Sequence, residues 1–303
     1  MNEARIIGDI LPWRDVLHDG PLPPNLSLRE MSRVRAKFLT ELGWAGDRDL
    51  GREFFARDSV VEQYADYDGV VLWFEWDLYD QLQLLQLLDF FAGKLGTREQ
   101  PLKLEHVSLD GYLGMLPVEK FQELNGKREP VSVSMLMLGR SAWNAVTSAD
   151  PREIAKVRAA DTSSLKFLSD ALTRFLEELP WTTDGLARSE RQLLQAIGDG
   201  ATSFGEIFKY ATEQEERVYC GDSSAAVYLQ RLANGPSPLV SIQSDETNAT
   251  FRLTEHGRAV LGRKRDWIEL GGSDRWLGGV HLNGSNAEWR WDPEAQTPVT
   301  KKA

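Results

Sequence analysis

The stretch 69–91, Gly-Val-Val-Leu-Trp-Phe-Glu-Trp-Asp-Leu-Tyr-Asp-Gln-Leu-Gln-Leu-Leu-Gln-Leu-Leu-Asp-Phe-Phe, constrains what this chain can fold into more than any other. Its first half is a short continuous apolar run, its second half repeats apolar residues at helical spacing, and acidic and amide groups stand at the junction. The expected order is strand, polar turn, helix. In an open α/β sheet, ligands bind outside the carboxyl ends of the strands, and Glu75, Asp77, Asp80 and Gln81 fall at that end.

Around this unit the pattern extends both ways. Segment 5–13 reads as a strand through Ile6, Ile7, Ile10 and Leu11, closed by Pro12 and followed by the loop Trp-Arg-Asp-Val-Leu-His-Asp-Gly-Pro at 13–21. A helix is expected over 27–43, opened by a Ser27/Glu30 capping box and ended by Gly43, and a second over 50–67 with Phe54, Phe55, Val60, Val61 and Tyr64 buried. Segment 102–109 alternates as another strand and runs into Asp110-Gly111-Tyr112-Leu113-Gly114. Strand, helix, strand in this order implies parallel pairing through a right-handed crossover. The expected fold class is therefore α/β, with a Rossmann-like parallel sheet domain over 1–125.

A helix is expected over 117–124, and a helical connecting region follows over 126–184, with a helix at 131–146, another starting at Asp150-Pro151, and an amphipathic one over 163–179 that Pro180 stops. From 185 to 303 the pattern is a winged-helix domain: helices at 189–197, 203–211 and 223–233, the last with Ala226, Leu229 and Leu232 inward, then β segments at 239–243 and 249–253. Leu253-Thr254-Glu255-His256-Gly257-Arg258 fits the strand-to-helix exit of such domains. The Trp-rich tail over 271–293 is expected to pack back on the body, and 294–303 to fray.

Composition narrows the class. With 42% hydrophobic and 27% charged residues over 303 positions, the chain can bury two full cores. A net charge of −11 opposes loose binding to nucleic acid or anionic membrane. Cys220 is the only cysteine, which excludes an intramolecular disulfide and fits a reduced, cytoplasmic setting. The start has no export-signal pattern and no apolar run approaches a membrane span, so neither export nor a membrane partner is expected.

Three loops would share one sheet edge, 13–21, 75–81 and 110–114. They would gather His18, Asp15 and Asp77 as catalytic candidates, with Arg14, Asp19, Glu75, Asp80, Gln81, Asp110 and Tyr112 as ligand-binding candidates. A histidine among carboxylates can be held as imidazolium and act as acid or base near neutral pH. The plainer alternative is that Asp77 and Asp80 cap the helix, where the dipole favours carboxylates. His18, His106, His256 and His281 show no paired ligand spacing, so no zinc site is expected; magnesium held by carboxylates and a substrate phosphate stays open. No cofactor is identified, because Walker-type phosphate loops, Gly-x-Gly-x-x-Gly and Gly-x-Ser-x-Gly are all absent. Helix 223–233 carries only Arg231 as a base, and the wing carries Asp245 and Glu246, which favours a structural or protein-contacting module over a DNA reader. Arg258, Arg263, Lys264 and Arg265 form the one basic cluster, read as a solvated helix end.

Through Leu-Pro-Trp-Arg-Asp-Val-Leu-His-Asp-Gly-Pro at 11–21 and Leu-Trp-Phe-Glu-Trp-Asp-Leu-Tyr-Asp-Gln-Leu-Gln-Leu-Leu at 72–85, the chain resembles the bacterial family of domain of unknown function 1835. The resemblance extends to Leu113-Gly114, the winged-helix region and Asp274-Arg275-Trp276-Leu277-Gly278-Gly279-Val280-His281. It implies the fold and no settled activity. Members commonly have His where Trp76 stands, and they begin earlier, with a first strand and a Gly-Asp-Ser loop; against that resemblance this sequence starts downstream, through either a shortened gene model or a missing first strand and loop, the second of which would leave the site incomplete. Two functions are therefore carried forward. One is binding of a small polar or phosphorylated ligand at the sheet edge, with hydrolase or transferase chemistry; the other is ligand- or partner-sensing regulation in which the winged helix contacts DNA or a transcription component.

Overall fold

The computed structural model describes residues 6–96, 103–244 and 249–300. Contacts divide the chain into two units. The first holds residues up to His18, Leu22–Ser148 and Val157–Ala171; the second holds Asp19–Pro21, Ala149–Lys156 and Leu172 onward. Among the described residues the architecture is mixed α/β, with eleven α-helices and sheets of only two or three strands.

The expected strand over 5–13 does not form in its described part, 6–13. Gly8 sits at φ 135°, a backbone setting that breaks an extended run, and Pro12 withholds an N–H from any ladder. Ile7 is fully exposed, and Ile10 and Leu11 are exposed as well. The first strand is instead the two-residue β1 (Gly20–Pro21), which belongs to the second unit.

α1 (Leu28–Glu41) opens with the capping box read from sequence: Ser27 N–H donates to Glu30 Oε2 at 2.8 Å and Glu30 N–H donates to Ser27 Oγ at 3.4 Å. It packs on α2 (Leu50–Glu62), whose first turn is capped by Asp49 accepting from Arg52 N–H at 3.0 Å. The expected apolar face of α2 is corrected, since Phe55 is exposed while Arg57 and Asp58 are buried. Arg57 survives there because it pairs with Asp58 at 2.9 Å, donates to Ser32 Oγ at 2.9 Å and lies over the Trp13 ring at 3.9 Å.

β2 (Val70–Phe74) leads through residues 75–77 into α3 (Leu78–Ala92), and β3 (Leu104–Ser108) pairs with β2 in parallel, Val70 opposite Leu104 and Phe74 opposite Ser108. α3 is buried without interruption from Gln81 to Leu88, so it is an interior helix rather than a surface one. After α4 (Val118–Asn125), the two-residue β4 (Glu129–Pro130) joins β3 in antiparallel fashion, and α5 (Val133–Val146) lies along α3. The approach of these two helices depends on Gly139, where an added Cβ would stand 2.4 Å from the Leu88 Cβ.

α6 (Arg152–Ala159) and α7 (Leu168–Leu176) follow. The helix expected over 163–179 is thus shorter at both ends. Leu165 and Leu179 are still buried, but from turns; Asp161 accepts Ser163 N–H at 2.9 Å and holds the chain in a turn there.

In the second unit, α8 (Arg188–Gly198), α9 (Phe204–Glu213) and α10 (Asp222–Ala233) precede β5 (Val240–Ser244) and β6 (Ala249–Leu253), which pair antiparallel, and α11 (Glu255–Leu261). Thr254 caps α11 by accepting Gly257 N–H at 3.0 Å, and a Cβ at Gly257 would strike the Leu239 carbonyl oxygen at 2.1 Å. On α10, Leu229 and Leu232 face inward as expected, while Ala226 is exposed and Ala225 takes the inward place. The tail contains β7 (Asp274–Gly278), β8 (Val280–Asn283), β9 (Trp289–Asp292) and β10 (Thr297–Thr300). β7 pairs with β1 in parallel and with β8 antiparallel. The fraying expected over 294–303 is corrected in its described part, because Thr297–Thr300 pairs with Trp289–Asp292; 301–303 lie outside the described residues. Trp291 is fully buried and exchanges main-chain bonds with Pro180 and Thr182 at 2.8 and 2.9 Å. No helix among the described residues is long and apolar enough to cross a membrane.

Candidate functional site

Parallel pairing in register ends β2 and β3 at the same level, so the chain leaves both strands at one edge of the first unit, and Leu109 N–H donates to the Phe74 carbonyl at 3.1 Å. Glu75 organises the turn that follows. Its N–H donates to Asp80 Oδ2 at 2.6 Å, its carbonyl accepts Gln81 Nε2 at 2.7 Å, and its own carboxylate accepts Leu113 N–H at 2.6 Å across the gap to the loop after β3. Asp77 caps α3 by accepting Asp80 N–H at 3.0 Å.

This packing sets the electrostatics. Burial pushes the Asp80 carboxyl up to about 7 against the pull of the Glu75 N–H, and the charges of Asp77 and Glu75 push the same way as burial. Burial also raises Glu75 above its ordinary range, opposed by the Leu113 N–H and assisted by Asp77. Asp80 is therefore poised to exchange a proton near neutrality.

Aromatic rings flank the carboxylates. Trp76 meets Tyr112 and Phe167 edge-on, with ring centres 6.1 and 6.4 Å apart. Lys166 Nζ lies 4.8 Å over the Phe167 ring and 3.2 Å from Asp110. On the other side His18, almost fully buried, meets the Tyr79 ring edge-on at 6.1 Å. Burial raises the Tyr79 phenol, with the charge of Asp15 next in weight and the positive charge of Arg14 opposing.

The structure thus brings Glu75, Asp77, Asp80 and Gln81 into one bonded turn, joins Tyr112 and Asp110 to it through Trp76, Phe167 and Lys166, and sets His18 beside Tyr79. Asp15 is committed elsewhere: Arg35, with no exposed surface, donates to it through Nε at 3.1 Å and pairs through Nη2 at 3.0 Å, while Nη2 also reaches the Val16 carbonyl at 2.7 Å. This pair fixes the loop after Trp13. Arg14 is exposed. Asp19 is grouped with the second unit, where it pairs with Arg231 at 3.2 Å. Among the described residues no group of three or more His, Cys, Asp or Glu side chains is arranged to hold a metal. Burial and then the charge of Glu178 push the Cys220 thiol up to about 12, which disfavours the thiolate at neutral pH.

Comparison of the chain with protein-family models, curated proteins and solved structures finds no match.

Sequence reading missed Arg35, Tyr79, Lys166 and Phe167. A signal for Arg35 was present: Met31, Arg35 and Leu39 repeat at four-residue spacing, so a cation stands on the apolar face of α1 and requires a buried acid. Phe167 carries no local signal, because only the tertiary fold returns it to residue 76.

Proposed function

We propose that the carboxyl edge of β2 and β3 binds a small polar ligand and that Asp80 is the acid/base group of a hydrolase or transferase reaction there. The observation that carries this reading is the Asp80 carboxyl, raised to about 7 while bonded to the Glu75 N–H at the strand end. The acid/base role passes from His18 to Asp80, Asp77 shapes the first turn of α3, and the Asp15–Arg35 pair positions the neighbouring loop. Three carboxylates face this edge against the exposed Arg14 and an Asp110-paired Lys166. A ligand with hydrogen-bond donors or a positive charge suits it better than a free phosphate, which would meet like charge.

The Rossmann-like description of the first unit, the winged-helix description of α8–α10 with β5 and β6, and membership of the family of domain of unknown function 1835 belong to the same proposal. Support for them comes from the parallel pair, the order of elements and the two sequence motifs. Regulation is the second reading, and one observation favours it: Arg258, Arg263, Lys264 and Arg265 are exposed, with no acid partner among the described residues. Against it, Arg231 is spent on Asp19 and on the Tyr228 ring.

Native mass spectrometry of the protein purified from its own cell should show a co-purified small molecule that Asp80→Asn loses while its circular dichroism is unchanged. Retention of the same ligand by a folded Asp80→Asn protein would remove Asp80 from the site.

A further inference from the structure

β2 lies at the edge of its sheet. The order β2-β3-β4 gives β3 a neighbour on each side and leaves one side of β2 without a strand among the described residues. Successive residues of a strand present their N–H and C=O groups to alternate sides. Val70 N–H donates to the Lys103 carbonyl at 2.9 Å and the Phe74 carbonyl accepts Leu109 N–H at 3.1 Å, so Val70, Leu72 and Phe74 turn their main-chain groups to β3. Val71, Trp73 and Glu75 therefore turn theirs away. The Glu75 N–H is taken by Asp80, whereas the outward groups of Val71 and Trp73 meet no partner among the described residues.

Nothing in the sequence guards this edge. Val-Val-Leu-Trp-Phe at 70–74 carries no proline and no charge, and its register with β3 runs without a bulge. Val71 and Trp73 are half-buried, and Trp73 stacks on Phe121 with ring centres 6.4 Å apart. Natural sheets interrupt, charge or cover such an edge. Water on the two outward amides is the plain alternative, and it gives no account of an unguarded strand of this composition.

We propose that the open edge of β2 pairs with β2 of a second copy of this chain, antiparallel about a two-fold axis at Leu72. The phase of the strand selects this occupant. Val71 then stands opposite the partner's Trp73, and Trp73 opposite the partner's Val71. These are the residues with unpartnered outward groups, so each pair exchanges two main-chain bonds. Each is also an aromatic and β-branched cross-strand pair, a favourable combination. The same register sets Gly69 opposite the partner's Glu75 and Asp68 opposite the partner's Trp76, so no like charges face each other. A two-fold contact needs a patch that complements itself, and this edge does. The pairing does not depend on Asp80 acting as an acid or base.

Sedimentation equilibrium of the full chain at high salt, which screens the repulsion between copies of net charge −11, should show a monomer–dimer equilibrium. Hydrogen exchange read by NMR should slow at the Val71 and Trp73 amides as protein concentration rises, while the Val70 and Leu72 amides, already turned to β3, change far less. Val71→Pro removes an outward N–H and leaves the bonds to β3 in place, and an edge strand accommodates proline there. It should weaken dimerisation by about tenfold, since half of the new bonds are lost. A monomer up to millimolar concentration, a dimer whose Val71 and Trp73 amides stay fast, or a dimer unweakened in a folded Val71→Pro protein would each overturn the proposal. Slow exchange at both amides in the monomer would give the edge to another segment and overturn it as well. The amide rates need no variant, so they decide the matter if Val71→Pro fails to fold.

Discussion

Asp80 couples the candidate site to stability, and the direction follows from its raised carboxyl. A carboxyl whose folded value is about 7, against 3.8 when unperturbed, favours the fold while protonated. The contribution is full below pH 4 and is lost as pH rises through 7. Over pH 4–8 the native protein should therefore lose stability by up to a few kcal/mol, with the loss falling between pH 4 and pH 7, because each tenfold gain in proton affinity on folding is worth about 1.4 kcal/mol. Asp80→Asn removes the charge and should flatten this dependence, melting higher than the native protein at pH 8. Thermal melts of both proteins across that range check it; parallel curves would show that Asp80 ionises at no cost. Arg35 and Asp15 are the opposite case. Arg35→Met leaves a buried carboxylate unpaired and should cost about 3–5 kcal/mol, measured by urea unfolding, whereas replacing both partners by apolar residues should recover much of the loss.

At the scale of elements, α3 carries the first unit. Its contact with α5 closes over Gly139, so Gly139→Val should destabilise by about 1–3 kcal/mol through overpacking against Leu88, read as a lowered denaturant midpoint. The strand and helix around residue 75 were legible because periodicity changes sharply after Phe74, where the strand ends, and Asp77 caps the helix. The α1 capping box was legible for the same local reason. Segment 5–13 was misread because apolar content alone suggested a strand, while Gly8 and Pro12 deny it regular backbone. On α2 the apolar stripe misled because Arg57 and Asp58 neutralise each other and so can be buried where Phe55 was expected. Of the site, the acidic turn could be read in sequence, since every member lies within seven residues, 75–81. Its proton affinity could not, since that comes from burial, and its aromatic wall could not, since Phe167 arrives from another part of the chain.

For the whole molecule, a net charge of −11 and the internal use of Arg231 argue against a nucleic-acid partner. Fluorescence anisotropy with duplex DNA near physiological salt should show no binding. Binding with a steep salt dependence, lost when Arg258, Arg263, Lys264 and Arg265 are reversed to Glu, would transfer the proposed function from the sheet edge to the second unit. The account of the sheet edge rests on one proton. Its most direct test is the pH titration of the Asp80 carboxyl carbon by NMR, the resonance assigned by its disappearance in Asp80→Asn. A midpoint at about 7 is the predicted result, and a midpoint near the ordinary 3.8 would contradict the account.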